Sequence, residues 1–276
     1  AASCRQSHSL APGYRPRSAS MNLFPQIYRR GDTLCRVDDI EPLLASWEHK
    51  EHPSQVRLRS YLDDLRSKVG ELPTDRAFFL ELRVDVRDPL KLTRHYDVEN
   101  YLTPLFGTAW FHHRQFPLVC GTKCVGGGSS LTLGEILTES SSILGPSWQH
   151  LATNAGNSPT LKSWKERLNE YVASSGVNEI PDGQTIEFHM AWRCSTRRNW
   201  VWLWKPTGDA LSPILGYNGD NRFNPNDDRI TSLTFHRFDD NSVGNDVYVG
   251  LWWRVARQNA EQSGEPEPPM TRVLKS

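Results

Sequence analysis

Apolar and polar side chains alternate at two places in the chain. Phe78, Leu80, Leu82 and Val84 interleave with Glu81, Arg83 and Asp85, and Ile186, Phe188, Met190 and Trp192 with Glu187, His189 and Arg193. A period of two puts every second side chain on one face, so each stretch predicts a half-buried β-strand. Ahead of each strand the spacing changes to that of an amphipathic helix. Leu58, Leu62, Leu65 and Val69 form the first such stripe, and Leu161, Trp164, Leu168, Tyr171 and Val172 the second. Ser158 and Pro159 read as the cap and first helical position of the second. Behind each strand comes a shorter helical segment, and then two β-prone runs. In the first half these are "FPLVCGTKCV" and "SSLTLGEI" around Gly126, Gly127 and Gly128; in the second they are "RITSLTFHRF" and "DVYVGLWWRV" around "DDNSVGN".

The plan helix–strand–helix–strand–strand therefore occurs twice, with matching landmarks. "ELPTD" begins at Glu71 and "EIPDG" at Glu179, an offset of 108, while "LTPLFG" (102–107) meets "LSPILG" (211–216) at an offset of 109. Landmarks in the same order at nearly constant offset point to internal duplication. The predicted fold is α/β, more narrowly α+β layers, with two related halves packed as a pseudo-dimer. The expected boundaries are a disordered leader over 1–22, a first half over 23–140, a linker over 141–158, a second half over 159–258 and a disordered tail over 259–276.

Bulk composition narrows the function classes. With 276 residues, 37% apolar content and ten Trp, the chain has ample volume for a core. Thirty-two basic residues balance thirty-two acidic ones, so any attraction for nucleic acid must be local. Five cysteines, odd in number and unevenly spaced, suit reduced thiols and a cytoplasmic protein rather than a disulfide framework. No apolar run approaches the roughly 18–20 residues that span a membrane.

Motifs in the second half carry a resemblance. A strand, an Arg-rich step, "WKPTGDALSPILG" and then "NPNDDRITSLTFHR" follow one another. This order resembles the RusA-type Holliday-junction resolvases, whose signature is D-x-D-N-x-x-K running into a helix with D-A-L, then an acidic pair at the head of the next strand. The second half matches Lys205, Asp209 and the pair Asp227 and Asp228, followed by Arg229 and Ile230. Asn199, Val201 and Trp202 stand where the family has its two aspartates and asparagine. The first half is complementary: "DVENYLT" matches Asp97, Glu99 and Asn100, with Thr103 in place of the lysine. The two registers disagree, because aligning "LTPLFG" with "LSPILG" puts Asn100 rather than Thr103 opposite Asp209.

The resemblance implies a protein that binds branched or distorted DNA in recombination and repair, and, if catalytic, an endonuclease using Mg2+ (or Mn2+). Asp97, Glu99, Asp227 and Asp228 would be the metal ligands. Asp97, Glu99, Asp228 and Lys205 would be catalytic, with Lys205 at the scissile phosphate, and Arg193, Arg197, Arg198, Arg222 and Arg229 would hold nucleic acid. Bland readings stand beside these: Asp97 as a helix cap with Glu99 in the first turn, and "NPNDD" as a polar turn before a strand. Trp200, Trp202 and Trp204 alternate like one face of a strand; alternatively they enter a helix and leave rings exposed beside the arginines, for stacking, or they form a Trp-rich face for a protein partner. A catalytically degenerate DNA-binding or protein–protein interaction module is the alternative function. His112, His113, Cys120 and Cys124 lack ordinary zinc spacing. "CVGGGSS" lacks the G-K-[ST] of a phosphate loop.

Overall fold

In the computed structural model both alternating stretches are strands, and they belong to one eight-stranded mixed sheet. The structure describes residues 23–256 apart from 47, 95, 108–110, 158–160 and 218. The expected leader, the expected tail and the Ser158–Pro159 cap lie outside the described residues. The elements run β1 (Gln26–Asp38), α1 (Pro53–Val69), β2 (Phe78–Asp85), α2 (Val98–Gly107), β3 (Leu118–Cys124), β4 (Ser130–Ser140), β5 (Gln149–Asn154), α3 (Leu161–Ser174), β6 (Ile186–Cys194), α4 (Trp204–Gly208), α5 (Ser212–Leu215), β7 (Ile230–Asp239) and β8 (Tyr248–Val255).

The strand order is β1-β4-β2-β3-β7-β6-β8-β5. Pairs β2–β3 and β6–β7 are parallel and the others antiparallel. The middle of the sheet is the antiparallel seam β3–β7, running from Leu118↔His236 to Thr122↔Ser232. Outward from the seam, each side meets the third, second, fourth and first strand of its own stretch of chain.

One face of the sheet carries the helices. Leu58, Leu62 and Leu65 of α1 and Trp164, Leu168 and Val172 of α3 are buried there, with Phe78, Leu80, Phe188 and Met190 beneath them. Helix α2 lies close on β3 because Gly121 has no side chain; a methyl there would collide with Val98 and Leu102. Pro104 inside α2 cannot donate to the carbonyl of Asn100, and Ala45 N–H takes that carbonyl instead at 2.8 Å. On the opposite face the first-half ribbon bends over the sheet. The β1–β4 register slips between Arg30 and Cys35, Tyr28 stacks on Phe238 with ring centroids 4.8 Å apart, and Phe24 packs against Trp252.

Three expectations change. The segment expected to be a linker over 141–158 contains strand β5, and a strand, β1, precedes α1. The tryptophan alternation does not form a strand. The Asn199 side chain accepts from Val201 N–H and starts a 3-10 turn over Trp200–Leu203, which runs into α4. The helical winding sends Trp200 and Trp204 into the core, at 0% and 1% exposure, and leaves Trp202 67% exposed. No Trp-rich face arises from this run.

Candidate active site

The seam determines which loops meet. Strand β2 ends beside β3, and the chain returns through Tyr96 and Asp97 into α2. Strand β7 runs antiparallel to β3, so the 3-10 turn Asp227–Arg229 that opens it arrives at the same edge. Lys123, on the helix-facing side of β3, ties the two loops together. Its ammonium donates to Tyr96 O at 2.9 Å and to Asp228 O. Burial pushes this lysine down to about 8, against the pull of Asp228, Asp97 and Asp227.

Four carboxyls and two lysines gather above that tie. Asp97 accepts from the Asn100 side-chain amide at 2.9 Å and acts on the nearby carboxyl of Asp227, raising it. Glu99 accepts from Thr103 Oγ1 at 2.9 Å. From the second half, α4 brings Lys205, whose Nζ stands 2.9 Å from Asp209 Oδ1, while Lys165 of α3 reaches Asp209 Oδ2 at 3.1 Å. Burial raises Asp227 well above the ordinary carboxyl range, reinforced by Asp97 and opposed by Lys205. Burial raises Glu99 as well, with Lys205 and the Thr103 hydrogen bond opposing it and Asp97 and Asp209 adding to it. For Lys205, burial acts downward, but Asp227, Asp209 and Glu99 outweigh it and hold the ammonium more firmly charged than usual.

Beneath the acids lies a cavity of about 20 Å³ lined by Asp97, Glu99, Asp227 and Trp204. It has room for one water molecule. Trp204 Nε1 is buried without a hydrogen-bond partner among the described residues. A buried indole N–H without a partner is a donor in need of an acceptor.

The predicted site residues divide into those brought together and those kept apart. Asp97, Glu99, Asp227 and Lys205 converge from chain segments more than a hundred residues apart. Asp228 does not join them: it lines a separate groove with Thr93, Arg94, Asp182 and Asn226. Among the described residues no group of three or more His, Cys, Asp or Glu is arranged to hold a metal ion. Lys205 is a cation that faces these acids. The five arginines do not form one patch. Arg229 is 4% exposed and donates to the carbonyls of Pro181, Leu215 and Ile180 at 2.6, 2.7 and 3.2 Å, so it is a structural brace. Arg193 pairs with Asp240 at 2.9 Å and Arg198 donates to Asn245 O at 3.0 Å, both at the far end of β6 together with Arg197. Those three stand at the opposite end of β6 from the turn that carries Asp227. Arg222 lies at the acid end, over the Phe223 ring that Lys165 also covers.

Lys123, Lys165 and Trp204 escape a reading by motif. Lys123 did leave a signal, because its parity with Val119 and Gly121 puts a charge on the helix-facing side of a strand. The cysteines of β3 do not join a histidine: Arg83 Nε donates to Cys124 Sγ at 3.1 Å, and burial pushes the Cys120 thiol up to about 12. Among known proteins, no family model and no curated protein matches the chain. Among the described residues no helix is long and apolar enough to cross a membrane.

Proposed function

We propose that this protein is a RusA-like nucleic-acid-binding protein, a fused pseudo-dimer with one composite site for Mg2+-dependent hydrolysis of branched or distorted DNA, working in cytoplasmic recombination and repair. The observation that carries the reading is the meeting of Asp97 and Glu99 with Asp227 and Lys205 across the β3–β7 seam. Duplication is supported by the mirrored strand order and by the helices. Buried Leu102, Leu105 and Phe106 correspond, at the 109 offset, to buried Leu211, Ile214 and Leu215. In that register Lys205 is not the counterpart of Thr103. It serves the acids of the other half.

Asp97 raises the pKa of the buried Asp227 beside it, and a cation would relieve that crowding of like charges. Asp97 and Asp227, with Glu99 beside them, would hold Mg2+, which would supply Lewis acidity toward a phosphate oxygen. The chain's own groups supply the rest. Lys205 presents a firmly charged ammonium to the phosphate, Asp209 and Lys165 keep its stem in place, and Trp204 Nε1 orients a water in the small cavity. Arg222 and the exposed Arg94 flank the site as cations for neighbouring phosphates.

The test is incubation of the full chain with a labelled four-way junction in Mg2+ or Mn2+, across a salt series. Asp97→Asn and Asp227→Asn are expected to lower cleavage at least 100-fold while leaving junction affinity within a few-fold. Affinity itself should fall steeply with salt, as phosphate contacts do. Salt-dependent binding without cleavage would move the protein to the degenerate binder, and salt-insensitive behaviour to a protein–protein module.

A further inference from the structure

Resting on the nucleic-acid part of that reading, we propose that the trough at the C-terminal end of β6 is a separate site for the phosphate backbone of a nucleic-acid strand, gripped by Arg197 and Arg198. The trough measures about 770 Å³ and lies between residues 195–198 and the β7–β8 connection at Asn241, Gly244 and Asn245. Organic ligands occupy sites of roughly 300–1,000 Å³, so a nucleotide fits here rather than a lone ion. The acid cluster is at the other end of the sheet. Strand β6 pairs with β7 from Ile186↔Ile230 at the acid end to Cys194↔Asp239 at the trough.

The two walls are fixed to each other. Asn241 Oδ1 accepts from Thr196 N–H at 3.1 Å and from the hydroxyls of Thr196 and Ser195 at 3.0 and 3.3 Å. A backbone N–H can only donate, so the amide oxygen faces this turn. The donor end, Nδ2, is left without a partner among the described residues. Asp240 N–H donates to Cys194 O at 2.9 Å. Arg198 Nη2 reaches from one wall to the other, donating to Asn245 O at 3.0 Å. That bond uses one of five guanidinium N–H groups and holds the rest in place.

The charge around the trough is unbalanced in one direction. Asp240 accepts from the hydroxyl and N–H of Ser242, which hold it below the ordinary carboxylate range, with Arg193 adding from 2.9 Å. Asp239 is paired with Arg237 at 2.6 Å, and Asp246 accepts from the Asn154 amide at 3.2 Å. Among the described residues no carboxylate lines the trough. Arg197 is exposed, and its guanidinium has no partner among the described residues. Arg237 extends the cationic wall: Nη2 donates to Thr196 O and Nη1 faces His113 Nδ1, each at 3.3 Å, which brings up the turn that carries exposed Arg114. Arginine and amide donors whose nearby acids are already matched select an anion that accepts several hydrogen bonds at once. Phosphate does so, because guanidinium forks fit its oxygens in pairs and amides are ordinary backbone-phosphate donors. The same segment then exposes Trp202, at 67%, an aromatic face of the kind on which unpaired bases stack. That combination favours a strand over an isolated phosphate or an acidic peptide.

The experiment follows the anisotropy of a labelled four-way junction with one single-stranded arm, bound by the full chain in EDTA so that no hydrolysis bears on the result. Arg197→Ala/Arg198→Ala is expected to weaken binding at least tenfold at low salt and to flatten the slope of log affinity against log salt by about two. Arg197→Ala alone, whose side chain holds nothing in the fold, should keep the parent's melting temperature and flatten the slope by about one. Trp202→Ala should weaken the junction with the single-stranded arm and spare a fully paired one. Arg59→Ala/Arg66→Ala, which removes the same charge from the exposed side of α1, should stay within about twofold of the parent. Steep salt-dependent binding that the trough variants leave unchanged, a loss equalled by the α1 variant, or displacement by inorganic phosphate as readily as by unlabelled strand overturns the trough proposal and leaves the nucleic-acid reading standing. Failure of the parent chain to bind the junction removes both.

Discussion

Burial, with Asp97 beside it, raises Asp227 well above the ordinary carboxyl range. A carboxyl raised in the folded state favours folding at low pH, and that contribution is lost as pH rises from the ordinary carboxyl value through the raised one. Asp227→Asn keeps the shape and the hydrogen-bonding capacity while removing the buried acid. Its melting temperature at pH 8 is expected to exceed that of the parent by about 2–4 °C, with the gap closing toward pH 4 in a thermal-shift series, even as any cleavage disappears. A melting temperature lowered equally at all pH values would mean that the residue is merely structural. The identities of Asp97, Glu99, Lys205 and Asp227 were legible as types suited to phosphate chemistry. The burial of Arg229 was not, because an arginine after two aspartates in a polar turn has the local pattern of a surface residue.

Among the elements, the strands and helices with strong periodicity, β2, β6, α1 and α3, could be read directly. Strands β1 and β5 could not. β5 is a sheet-edge strand whose "QHLATN" carries few apolar side chains, and much of β1 is exposed and charged, with Arg29, Arg30, Asp32 and Arg36 along it. Such strands are held by backbone pairing, which leaves little mark on side-chain pattern. The tryptophan run failed in the opposite way: its alternation was real, but the Asn199 cap wound it into a helical turn. Helix α2 depends on Gly121. Gly121→Ala is expected to cost about 1–3 kcal/mol through overpacking against Val98 and Leu102. It should also shift Asp97 from Asp227, so urea unfolding and junction cleavage should both respond. Unchanged stability would mean that α2 has slack against β3.

At the scale of the molecule, the sheet buries an imidazole pair on the face opposite the helices. Tyr28 N–H donates to His236 Nδ1 at 3.3 Å, so His236 Nε2 carries the proton toward His189 Nδ1, 3.0 Å away. Burial holds both imidazoles neutral, pushing His189 down to about 3 with Arg254 adding to the effect, and His236 well below its ordinary value with His189 adding. Only the unfolded chain protonates them near the ordinary value of about 6.5, so stability is full above that pH and falls as pH drops toward 3. Urea unfolding in the Asp227→Asn background, which removes the opposing carboxyl, is expected to show a loss of up to about 2 kcal/mol per imidazole between pH 7 and pH 5. A flat profile over that range would mean that the pair titrates in the fold.

The sequence by itself determined the local periods, the repeated order of elements and the presence of acids and lysines of the right kinds, because these depend on side chains a few positions apart. Only the tertiary structure decided that Asp97 meets Asp227 while Asp228 does not, and that Lys205 serves the acids of the other half. Those relations depend on the antiparallel register of β3 and β7, which joins positions more than a hundred residues apart through hydrogen bonds between backbones that carry no residue-specific signal.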